Sequence, residues 1–176
     1  MAHEALDKMI GPFDSAVSYC RYLQGMAVFR SIVEEELALA EWPAAFSSWQ
    51  DERLAHLIAQ DLADIDVSAP LQPAFTSLSS RLPAGDLLGI LYVLEGSALG
   101  ARLLYKRAQA LGYSESFGAR HLAVQCRQNG RWGAYLKLLE EADGIDMDDV
   151  VRASTQTFRI AETAFERALH EQARTG

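Results

Sequence analysis

The chain is poor in several features that would otherwise fix its class. Its 176 residues include only two cysteines, Cys20 and Cys126, with neither a CxxC spacing nor metal-ligand neighbours. A disulfide framework is therefore excluded, and two free thiols are expected, with one isolated disulfide as the alternative. Basic residues are in deficit, 16 Lys and Arg against 24 Asp and Glu, for a net charge of -8. Such a surface argues against nucleic acid or an anionic membrane as partner, although a few local cations suffice to hold an anionic ligand. The longest apolar run, Leu87 to Leu94, is too short to span a bilayer, and the N-terminus lacks a charged region followed by an apolar one. A cytoplasmic location is the default expectation. Period-two alternation, internal repeats and low-complexity linkers are missing too, which leaves residues 1–176 as one all-α domain, long enough to bury a substantial core.

Helical periodicity is what the chain does have. Asp14-Ser-Ala-Val17 supplies a capping residue after Gly11-Pro12, and Tyr19, Tyr22, Met26, Phe29, Val33 and Leu37 recur at steps of three and four. The pattern predicts a long amphipathic helix ending near Trp42-Pro43. A second helix is expected from about Asp51 to Ile65, and a shorter one between Pro73 and Arg81. Pro83-Ala-Gly-Asp86 caps an apolar helix that continues to about Leu111. A short helix through His121 and another from about Arg131 to Glu141 follow. The last opens at Asp146-Met-Asp-Asp149, with Val150, Ser154, Phe158, Ala161, Phe165 and Leu169 as its inner stripe.

Within the apolar helix, Gly96 and Gly100 stand one turn apart. Two positions without a Cβ at i and i+4 clear one helix face, so that another backbone or a flat ligand can come close. Glycine costs roughly 1 kcal/mol against alanine in a helix interior, so the pair calls for a compensating role. Spacing alone leaves two roles open, close helix packing and a face laid over a planar ligand.

The stretch Leu91-Tyr-Val-Leu-Glu-Gly-Ser-Ala-Leu-Gly-Ala101 resembles the distal-helix signature of bacterial haem oxygenases, whose glycine-rich helix lies across one face of haem. His3-Glu-Ala-Leu-Asp7 is similar to the segment that carries the proximal ligand, and Arg53-Leu-Ala-His-Leu-Ile-Ala-Gln-Asp-Leu-Ala63 resembles the helix after the first long hairpin. Arg120-His-Leu-Ala-Val124 and Thr157-Phe-Arg-Ile-Ala-Glu-Thr-Ala-Phe165 follow in the family's order. Nearly the whole chain is covered. The resemblance implies a haem-oxygenase-like multi-helix fold with a kinked, glycine-bearing distal helix.

The same resemblance assigns roles. His3 becomes the iron ligand, with Asp7 four residues later on the same helix face to orient its imidazole. Gly96 and Gly100 shape the distal face, and Ser97, with water, handles protons where some relatives carry a carboxylate. Arg107 and Arg131 match the regions that contact the haem propionates, ahead of Arg102, Lys106 and Arg127. Phe158 and Phe165 match aromatics that line the pocket. His56, His121, His170 and Glu95 are read as structural or surface residues. The residue inventory agrees. No histidine has Glu three residues before it, which excludes a ferritin-like di-iron centre, and neither a nucleophile elbow nor a P-loop is present. A single-histidine site suits a five-coordinate haem iron.

By the resemblance, then, the chain is a haem oxygenase that uses haem as substrate and cofactor and yields biliverdin, carbon monoxide and iron. Electrons would come from a separate ferredoxin or reductase, because no flavin or nicotinamide motif is visible. A bacteriophytochrome is a candidate acceptor of the biliverdin, beside iron acquisition as the purpose. Only Met1 and Ala2 precede His3, where the family carries several helical turns. That departure motivates an alternative, a non-catalytic haem- or tetrapyrrole-binding or regulatory protein on the same fold.

Overall fold

In the computed structural model, residues 10–11, 14–40, 42–46, 49, 51–68 and 82–175 are described. The first long helix, α1 (Ala16–Leu39), starts at Ser15, whose Oγ accepts the Ser18 N–H at 3.2 Å while the Ser15 N–H donates to Ser18 Oγ at 3.1 Å. This reciprocal cap satisfies donors that the first turn leaves open. The helix stops short of Trp42. The Trp42 indole N–H donates to the Leu37 carbonyl at 3.3 Å and takes over one of the acceptors that a further turn would have used.

Helix α2 (Ala55–Asp64) begins four residues later than the sequence pattern predicts. Its start is set from outside: Glu34 of α1 accepts the backbone N–H groups of Leu54 at 2.8 Å and Ala55 at 3.1 Å. A carboxylate at a helix N-terminus caps it and offsets its dipole. Glu34 is itself held by Arg30, whose Nε lies 2.8 Å from Oε1.

The apolar helix is interrupted. It runs as α3 (Ala84–Ser97), a 3-10 turn (Ala98–Gly100) and α4 (Ala101–Ala110). The expected short helix through His121 instead starts there, as α5 (Arg120–Arg127). Asp61 of α2 accepts the N–H of Arg120 at 2.9 Å and of His121 at 3.2 Å, so a tertiary cap fixes this start as well. Just before it, Gly118 takes φ +74°, and a Cβ there would lie 2.7 Å from the Tyr113 ring. Helices α6 (Arg131–Glu140) and α7 (Met147–Thr175) complete the order, close to their expected limits. The helix expected between Pro73 and Arg81 lies outside the described residues, among which there is no β-strand.

Helix α7 packs along both α3 and α1. Its predicted stripe is seated in that core at Val150, Phe158, Ala161 and Phe165, all buried, while Ser154 and Leu169 are half-buried. A smaller apolar cluster joins Phe46, Leu88, Leu91, Tyr135 and Val150, and the Tyr135 hydroxyl donates to the Leu88 carbonyl at 3.0 Å. By length and composition Ala84–Ala110 would also suit a membrane span, yet Leu87, Leu88 and Leu91 are fully buried in this core.

Candidate functional site

The packing of α1, α3 and α7 leaves a cavity of about 440 Å³, within the usual range for small-molecule pockets. Helix α1 contributes Tyr22, Met26 and Phe29, and α7 contributes Phe158, Ala161 and Phe165. The opposite wall is Val93, Gly96 and Ser97 of α3, then Gly100, Leu103, Leu104 and Arg107. Gln125 of α5 closes one side, and Ile10 and Gly11 reach the cavity from the N-terminal end. The lining is mostly apolar, with a few polar groups at its edges.

Gly96 and Gly100 both border the cavity. Among the described residues, a Cβ built on Gly100 meets nothing within 4 Å, and one on Gly96 would touch the Trp132 ring at 3.6 Å. Among the described residues, then, nothing packs against Gly100, whereas Gly96 has the Trp132 ring of α6 beside it.

Six of the residues singled out from the sequence line this cavity together: Gly96, Ser97, Gly100, Arg107, Phe158 and Phe165. Ser97 Oγ donates to the Leu94 carbonyl at 2.7 Å, which leaves the oxygen its acceptor capacity. His3 and Asp7 lie outside the described residues. Ile10 and Gly11, shortly after them in sequence, are cavity residues.

Arg131 is not among these six lining residues. It lies on a second, more polar cleft of about 260 Å³, with Arg102, Gln128, Asn129 and Trp132. Its guanidinium forms a two-point ion pair with Glu95, Nε to Oε2 at 2.8 Å, and stacks 4.9 Å from the centre of the Trp49 ring. The bond to Glu95 raises the Arg131 pKa. Glu95 is buried, and among the described residues Arg107 is the cation that lines the main cavity.

Three cavity-side features escaped the sequence reading. Gln125 is buried at the wall, and the Tyr22 hydroxyl lies 3.3 Å from His121 Nε2. His121 is fully buried, and its Nδ1 meets Asp61 Oδ2 at 2.7 Å. Burial pushes the Tyr22 phenol pKa up and the His121 imidazole pKa down, the latter partly opposed by Asp61. A tyrosine in a core stripe was the available signal, since a buried phenol requires a polar partner. Asp64, at the outer end of the same group, is held below the usual carboxylate range, chiefly by its bond to Arg120.

No protein-family model matches the chain. It is 33% identical over 153 residues to the haem oxygenase PigA of Pseudomonas aeruginosa, an alignment covering 83% of this chain and 72% of that protein. Its fold is similar to that of the haem oxygenase from Neisseria meningitidis solved with nitric oxide and carbon monoxide bound. The TM-score is 0.70 at 24% identity, over 95% of this chain and 84% of the other.

Proposed function

This chain belongs to the haem oxygenase family, and we propose that the cavity between α1, α3, α4 and α7 is where it holds its substrate. The protein is an enzyme that cleaves haem to biliverdin, carbon monoxide and iron. The relationship to a curated haem oxygenase over most of the chain favours this activity over a non-catalytic binding role.

The cavity fits a flat, apolar, dianionic substrate. Gly100 leaves open the space a side chain would fill, and Phe158, Phe165 and Met26 offer apolar contact to a macrocycle. Bound haem supplies the iron that activates dioxygen and the ring that is opened. His3 is our candidate for the iron ligand, and Asp7 for the group that orients its imidazole. Arg107, half-buried at the cavity edge, pairs with a propionate as an anchoring cation. Ser97 accepts a hydrogen bond from water while its own hydrogen stays on Leu94, so it orients that water rather than donating to it. Gly96 and Gly100 let this water and the backbone approach the reacting face.

The reading is completed by a separate ferredoxin or reductase as electron donor and a cytoplasmic location. A bacteriophytochrome is the biliverdin acceptor in one use of the reaction, and released iron is the yield in the other. The observation that carries the site is the unfilled face at Gly100. Titrating the purified protein with haem should give a saturable Soret band, and a reductant in air should convert it to biliverdin absorption. His3→Ala should lose both while keeping its far-UV circular dichroism. Normal haem binding by that variant would place the iron ligand elsewhere.

A further inference from the structure

Gln125 of α5 is 6% exposed and borders both the main cavity and the polar cleft beside it. Its backbone carbonyl accepts the Gln128 N–H at 3.3 Å, but among the described residues nothing bonds its side-chain carboxamide. Nor are its Oε1 and Nε2 among the sealed-off polar atoms that lack a partner, as Gln128 Oε1 is, so both meet open space. The helix points this side chain toward the main cavity. Gln125 stands one turn after His121 and shares its face of α5, and the His121 ring is turned to that of Tyr22 on α1, centres 5.7 Å apart. On that side lies the main cavity, to which α1 gives Tyr22, Met26 and Phe29. The polar cleft is met by the residues that follow, Cys126, Gln128 and Asn129.

A carboxamide buried without a partner is costly, and a ligand that supplies one is bound more tightly for it. The group offers N–H donors and a carbonyl acceptor but no charge. Haem has little that matches, since apart from two propionates its rim carries only carbon and hydrogen. Those anions suit the half-buried guanidinium of Arg107, whereas an uncharged amide in a buried wall does not offset the burial of a carboxylate. Cleavage changes the rim. Each of the two rings beside the broken bridge gains a carbonyl oxygen next to its nitrogen and becomes a lactam, with one acceptor and one donor side by side. A primary carboxamide is the complement of that pair.

We propose that Gln125 is a product-binding residue, whose Nε2–H donates to a lactam carbonyl of biliverdin while Oε1 accepts the adjoining lactam N–H. The proposal rests on the cavity being the haem site. It gives the cavity a contact that only the opened chain makes, because the bonding groups exist only after cleavage. Arg107 differs in this respect, since the propionates it would hold are the same before and after the reaction.

The test uses Gln125→Met, which keeps the length of the side chain and removes the carboxamide. The ligand-free variant should resist urea at least as well as the native chain, because no bond within the protein is lost. Titrated into the ligand-free proteins, biliverdin should bind the variant about five- to tenfold more weakly, as expected for one or two uncharged hydrogen bonds, and haem affinity should stay within about twofold. In the infrared, the lactam carbonyl stretch of bound biliverdin should lie at lower frequency in the native chain than in the variant. A lower urea midpoint in the variant would show that the carboxamide is already bonded within the protein. Equal losses for haem and biliverdin would assign it to a propionate, and an unchanged biliverdin affinity or carbonyl stretch would leave it to cavity water. Each of these results overturns the proposal and leaves the haem site standing. A native chain that binds neither tetrapyrrole would overturn the haem-site reading, and the proposal with it.

Discussion

Gly89 of α3 sits so close to Ala153 of α7 that a Cβ on the glycine would stand 2.6 Å from the alanine Cβ and 2.6 Å from the Val150 carbonyl oxygen. Neither neighbour is a flexible side-chain end, so α3 or α7 would have to shift. Gly89→Ala should cost about 1–3 kcal/mol by overpacking. Gly100→Ala should be neutral or stabilising by up to about 1 kcal/mol, because no described residue stands within 4 Å and alanine is the better helix former. Urea midpoints of the two variants check both signs. Gly100→Leu should fold normally yet weaken haem binding, and an equal loss of stability in Gly89→Ala and Gly100→Leu would return the distal glycines to a packing role.

Stability should fall on mild acidification, because burial keeps the His121 imidazole below its ordinary value of 6.5. Below that value the unfolded chain binds this proton and the folded chain does not. Stability therefore rises with pH through the window, is fully present above about pH 6.5, and is lost as pH falls toward the folded pKa. The urea midpoint should drop between about pH 7.5 and pH 5.5, and the drop should shrink in His121→Gln. An identical drop in that variant would assign the effect to other groups.

Legibility in the sequence followed the range of the forces involved. Local signals succeeded: a cap within Asp14-Ser-Ala-Val17, the 3.6-residue stripes of α1 and α7, and the apolar length of α3 are set within a few neighbouring residues. Helix starts fixed from elsewhere in the chain were invisible. Glu34 caps α2 from 20 residues away and Asp61 caps α5 from 59, so neither start had a signal beside it. The glycines make the same point. Gly85 and Gly89 have the same i, i+4 spacing as Gly96 and Gly100, yet the first pair meets Asp149 and Ala153 and the second borders a cavity. Family resemblance singled out Gly96 and Ser97, which line that cavity, whereas nothing beside Arg131 in the sequence signalled its pairing with Glu95.

Breaking the Glu95–Arg131 pair should cost stability without closing the cavity. Glu95 is 5% exposed and Arg131 keeps partial contact with solvent, so Glu95→Ala should cost on the order of 3 kcal/mol, the lower end for a buried pair. Arg131→Ala should cost a similar amount, and the double variant less than the sum. Haem affinity, measured well below the melting temperature, should stay within about threefold, because neither side chain lines the main cavity. A tenfold or greater loss of affinity in Arg131→Ala at unchanged stability would restore Arg131 to the propionate rim.

Arg107 carries the opposite expectation. It lines the cavity from α4, and no other cation does so among the described residues. A charge-assisted bond to a propionate contributes roughly 1.5–3 kcal/mol, and partial solvent contact at this half-buried site favours the lower figure. Arg107→Gln should therefore weaken haem binding about tenfold, with little change in urea midpoint. Arg107→Lys should recover part of the loss, since an ammonium keeps the charge but not the two-point geometry of a guanidinium. The affinity of the native chain should also fall with rising ionic strength more steeply than that of Arg107→Gln, because screening acts on the charge the variant lacks. Parallel salt dependence in the two proteins would show that Arg107 contributes packing rather than charge, and that the propionates find their cation elsewhere.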